Sequence, residues 1–120
     1  MSQTPLQSVL DLGASFVALI NKHGRVLDSS SKINLDDRKK EMLFMSSALA
    51  QNMCEDFDAE LGPVEYSLVE RKEHKLVSIP MQYGILLMAI PKDIDHNEVI
   101  CVVKNSYVFP NDNLQGTCAA

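Results

Sequence analysis

The stretch from residue 64 to residue 91, VEYSLVERKEHKLVSIPMQYGILLMAIP, constrains the fold of this chain more than any other. It holds three strand-like runs joined by turns of a few residues. A parallel connection needs roughly a dozen residues or more, so strands joined this closely must be antiparallel neighbours. In the first run, Val64 to Glu70, Val64, Tyr66 and Leu68 alternate with Glu65 and Ser67, and Val69 is the exception. Arg71-Lys72-Glu73 turns the chain, and His74 to Met81 returns it. Tyr83 to Ile90 is apolar at every position except Gly84, the pattern of an inner strand covered on both faces. Pro80 has no ladder donor, which predicts a strand end or an open edge there.

A second pair of strands lies upstream. Ser15 to Asn21 is apolar on both alternating faces, and the chain resumes as Val26-Leu27-Asp28-Ser29-Ser30 after Lys22-His23-Gly24-Arg25. Gly24 supplies the positive φ that a tight hairpin needs. His23-Gly24-Arg25 thus reads as a hairpin turn with Lys22, His23 and Arg25 projecting from its tip.

Between the two groups runs the longest element. Asn34 or Asp36 can cap a helix that extends to about Glu60, where Gly62-Pro63 stops it. Met42, Met45, Leu49, Met53 and Phe57 recur at three- and four-residue steps, and Leu43, Ala50, Cys54 and Leu61 widen the stripe. Ser46, Ser47, Ala48 and Ala50 keep the middle slim, so a sheet or a second copy of the helix can approach closely. Methionine fills cores and also suits adaptable contacts, so the stripe reads either as core or as interface. Phe44 falls off the stripe, on a side that would face a second copy. Met42, Phe44, Met45 and Leu49 are therefore the candidate interface residues. Glu55, Asp56, Asp58 and Glu60 gather where the helix dipole is negative, as a solvated corner or a docking patch for a basic partner.

The ends are helical. Thr4, Pro5 and Gly13 form a start and a stop around Leu6, Val9 and Leu10. Asp95 and Glu98 have capping-box spacing, and Ile94 with Val99 that of a hydrophobic staple, which predicts a last helix to about Asn105. The run Val99-Ile100-Cys101-Val102-Val103 lowers helix propensity and leaves a strand as the alternative. The expectation is an α+β domain over residues 1–105 with a five-stranded antiparallel sheet, in the order α-β-β-α-β-β-β-α. A flexible tail over 106–120 follows.

Charge and composition narrow the function. The chain has 120 residues, 11 basic and 16 acidic, a net charge of −5. Such a surface repels a phosphate backbone and excludes nucleic acid as the expected partner. No apolar run approaches the about 20 residues that span a bilayer, so no membrane association is expected. Three cysteines, Cys54, Cys101 and Cys118, form no C-x-x-C pair and read as reduced thiols of a cytoplasmic protein. Cys54 and Cys101 fall on apolar helix stripes as small core residues.

Candidate chemistry is sparse. Ser29-Ser30-Ser31 has no nucleophile-elbow context, and His23, His74 and His96 have no second ligand at metal spacing. The five glycines are scattered, with no phosphate-cradling loop. The expectation is a non-catalytic protein with no cofactor and no metal. A ligand-sensing module is the second reading, with an anion or metabolite held near His23, Arg25, Ser29 and Ser30 between sheet and helix.

The layout resembles that of the roadblock/LC7 proteins, relatives of the longin and profilin-like folds. The likeness spans roughly residues 5–104 and rests on FVALINKHGRVLDSSS, on the long helix and on the three-strand run. A closer resemblance, in NKHGR, EMLFMSS and EDFDAELGPVEY, is to a group of small archaeal proteins that bring no known activity with them. The roadblock resemblance implies a homodimeric scaffold and a protein partner such as a small GTPase. The sensing reading has its own parallel in sensor domains of profilin- or PAS-like layout.

Overall fold

The two most apolar runs lie side by side at the centre of the sheet. A computed structural model of the chain describes residues 5–82 and 84–106. In it β1 (Phe16–Ile20) pairs antiparallel with β5 (Gly84–Pro91) from Phe16↔Ala89 to Ile20↔Ile85. Outside β1 lies β2 (Val26–Ser31), and outside β5 lie β4 (His74–Met81) and then β3 (Ser67–Glu70). The order is β2-β1-β5-β4-β3, every pair antiparallel. This is the expected five-stranded α+β architecture. Thr4, Tyr83, Cys118 and the tail beyond Ser106 lie outside the described residues.

Strand alternation sends β1 in two directions, and helices meet it on both. Val17, with Val77, Ile79, Leu86, Met88 and Ile90, faces α1 (Pro5–Asp11) and α4 (His96–Ser106). Leu6, Val9, Leu10, Val99, Ile100 and Val103 close that core. Phe16, Ala18, Ile20, Ile85 and Leu87 face α2 (Asp37–Cys54), which contributes Phe44 and Ala48. Beyond α2 the chain tightens into a 3-10 turn, Glu55–Phe57, and a short α3, Asp58–Leu61.

Local signals act where they stand in the sequence. Asp36 caps α2, its Oδ1 accepting from the Lys39 N–H at 2.8 Å. Gly62 ends α3 at φ 85°. Asp95 Oδ1 accepts from the Asn97 N–H at 2.9 Å, so Asp95 starts α4 through a partner one residue short of Glu98. Pro80 lies past the last β3 pair, Ser67↔Ser78, where β4 has no neighbour on that side. Lys32 Nζ donates to the Leu10 carbonyl at 2.8 Å and closes the end of α1.

The expected last helix forms: residues 99–103 are helical despite their β-branched side chains, because Val99, Ile100 and Val103 seal the core, so tertiary burial outweighs propensity and the strand alternative falls. Other expectations are corrected. The strand expected from Val64 starts at Ser67. The residues before it lean on α4 instead, with the Tyr66 ring 6.0 Å from that of His96 and Glu65 4.0 Å from Lys104 Nζ. Phe44 does not face outward: it is buried, stacked on Phe16 at 5.9 Å and 15°. Cys54 is exposed rather than a core residue.

Candidate functional site

α2 has two apolar faces, and the sheet takes only one. Phe44 and Ala48 point down, with Leu43 packed beside them. At about 100° per residue, Met42, Met45, Leu49 and Met53 fall on the roughly opposite side of the helix. Those four and Phe57 are 57–66% exposed, and Leu61 is 81% exposed. Fully burying such a side chain is worth about 1.5–3 kcal/mol. Met42, Met45, Leu49, Met53 and Phe57, each more than half in water, therefore together forgo roughly 6 kcal/mol per molecule. Monomers rarely leave a contiguous apolar surface of that kind uncovered.

The β1–β2 hairpin is fixed beneath this helix. Gly24 has φ 84°, and a Cβ there would stand 2.8 Å from Met45 Cα. Asn52 Nδ2 donates to the Lys22 carbonyl at 3.2 Å. Asn21 Oδ1 accepts from the N–H groups of His23 and Arg25, at 2.8 and 3.0 Å, and the Gly24 N–H donates to the Asn21 carbonyl. The turn thus spends its amides on itself, leaving none of these three for an anion. His23 and Arg25 stand exposed at the tip. Ser29 and Ser30 lie farther along β2 and on opposite faces, since Ser29 is across from Ala18 and Ser30 across from Val17. The structure does not bring these four residues together, and Phe16, Ala18, Ile20, Phe44 and Ala48 fill the layer where a ligand was expected.

Other polar groups tie elements together. Lys75, buried in β4, reaches His96 Nδ1 at 3.3 Å, and Ser15 Oγ is 3.4 Å from His74 Nε2. Among the described residues no group of three or more His, Cys, Asp or Glu side chains is placed to hold a metal ion. Among them, too, no helix is long and apolar enough to cross a membrane.

No protein-family model matches the chain, and no curated protein matches it. Solved structures do. The fold is of roadblock/LC7 type, a longin-like five-stranded sheet with its helices. The chain is similar to MglB of Myxococcus xanthus, with a TM-score of 0.71 at 16% identity over 88% of this chain and 91% of that one. It is similar also to a roadblock/LC7 domain from Streptomyces avermitilis, at 0.69 and 14% over 84% and 90%. A third is an MglB described as having a tetrameric arrangement, at 0.68 and 12% over 99% and 96%.

Proposed function

We propose that this chain is a non-catalytic scaffold that works as a homodimer, two copies meeting along α2, and that it serves a protein partner. The exposed stripe Met42, Met45, Leu49, Met53 carries the reading, because it lies opposite the face that builds the monomer's core. Its pattern is nearly symmetric about residue 47. An antiparallel second copy centred there sets Met45 against Leu49 of that copy, and Met42 against Met53. Arg38, at the start of α2, and Asp56, in the 3-10 turn just past its end, lie equally far from residue 47 along the chain. The same pairing sets Arg38 against Asp56 of the second copy. Ser46 and Ala50 keep the crossing slim.

A small GTPase is the partner class that the roadblock resemblance supplies, with the cytoplasm as its compartment. No catalytic group is invoked in this reading. The test is the native mass of the Leu49→Glu variant beside the unaltered protein. A charge at the centre of an apolar contact should leave a monomer with unchanged circular dichroism. A variant that stays dimeric, or an unaltered protein that is monomeric throughout, overturns the reading.

A further inference from the structure

The apolar stripe does not stop where a second copy would stop covering it. The following rests on the antiparallel pairing above. A helix that begins at Asp37 and crosses its mate near residue 47 reaches no farther than about residue 57. Leu61 lies outside that span and Phe57 at its limit, on the 3-10 turn and α3. At 81%, Leu61 is the most exposed large apolar side chain of the described residues. Gly62 beyond it has φ 85°, with nothing within 4 Å of where a Cβ would stand, so the segment ends in open space.

The surroundings of these two side chains carry one sign of charge. From residue 41 to residue 70 the chain has no lysine or arginine, yet Glu41, Glu55, Asp56, Asp58, Glu60, Glu65 and Glu70 lie there. Glu55 and Glu60 are exposed beside Phe57 and Leu61. One oxygen of Asp58, Oδ1, is shielded from solvent with no hydrogen-bond partner.

We propose that Phe57 and Leu61 anchor a docking site for a lysine- or arginine-rich amphipathic segment of a partner protein, with its cations facing Glu55, Asp58 and Glu60. The apolar side chains supply contact, and the charge selects the occupant. Central apolar anchors ringed by polar groups are how interfaces concentrate binding energy. The acids also steer a basic partner toward the site and reject an acidic one.

The experiment titrates the full chain into a fluorescein-labelled helical peptide with leucines at three- and four-residue spacing and lysines elsewhere. The same peptide with glutamates in place of lysines is the comparison, both at about 0.15 M salt. The lysine peptide should bind and the glutamate peptide should not, with the anisotropy change shrinking as salt rises. Leu61→Ser and Glu60→Lys should each weaken binding by roughly tenfold or more, while Glu73→Lys, an exposed acid on the β3–β4 turn, should not. Leu49→Glu should leave peptide binding intact even as it dissociates the dimer, which separates this site from the dimer contact. Equal binding of the two peptides, no binding of either, or unchanged affinity in both patch variants overturns the proposal. So does a Leu61→Ser protein that loses its dimeric mass, since the patch then belongs to the second copy. If Leu49→Glu remains dimeric, the α2 contact fails while the peptide result still decides the patch.

Discussion

Two glycines with the same backbone sign stand in opposite surroundings. Gly24 and Gly62 have φ of 84° and 85°, a region L side chains rarely adopt. At Gly24 an added Cβ would also meet Met45 Cα at 2.8 Å and the Phe44 carbonyl oxygen at 3.1 Å, backbone atoms of a packed helix. Gly24→Ala should therefore cost about 2 kcal/mol or more, and Gly62→Ala about 1 kcal/mol, by urea unfolding. Equal costs would mean that the hairpin is not clamped on α2. Phe44 sets the other contrast. Its stack on Phe16 is buried, so Phe44→Ala should cost about 3–5 kcal/mol, whereas Met45→Ala, one residue on, should leave the unfolding free energy of the monomer within about 0.5 kcal/mol. These residues show what a sequence makes legible. The turn glycine, the Asp36 cap and the Gly62 stop are local devices, and their neighbours announce them. Phe44 is not local: its place depends on Phe16, 28 residues earlier in the chain.

At the scale of elements, the strands were legible because their burial follows from alternation. β1 and β5, apolar at almost every position, had to be covered on both faces, and both lie at the sheet centre. α2 was harder because it is apolar on two sides. Met42, Met45, Leu49, Met53 and Phe57 make the longer periodic run, yet the shorter set Phe44 and Ala48 reaches the sheet. Periodicity reports that a helix has an apolar face, not which of two faces the sheet accepts. An aromatic that can stack and an alanine that allows close approach decided it. The edges differ as well. The β1–β2 pairing shifts register between Leu19↔Asp28 and Ile20↔Val26, which leaves Leu27 of β2 without a partner in the ladder, and Asp28 Oδ1 takes the Ser29 N–H at 2.9 Å, devices that blunt an edge strand against pairing. The placement of the candidate ligand set has a related cause: His23, Arg25, Ser29 and Ser30 are close in sequence, but His23 and Arg25 sit at the turn while Ser29 and Ser30 occupy opposite faces of β2.

The whole molecule pairs a closed two-sided core with an uncovered apolar helix face. If two copies share that face, folding and association are linked. The midpoint of thermal unfolding should then rise as protein concentration goes from about 1 to about 100 µM, as it does for a dimer whose protomers gain stability from each other. A midpoint independent of concentration would mean that the folded monomer is complete without a second copy. The charge distribution gives the sharpest test of how the copies meet. Arg38 at one end of α2 and Asp56 just past the other are matched only if the helices run antiparallel and cross near residue 47. The measurement is therefore the dimer dissociation constant, by sedimentation, of the unaltered chain, Arg38→Asp, Asp56→Arg and the double exchange. Two such pairs per dimer, at about 1 kcal/mol or less each, predict that either single reversal weakens the dimer by roughly tenfold and that the double exchange recovers most of the loss. Single reversals without effect, or a double exchange weaker than either alone, would contradict an antiparallel α2 contact.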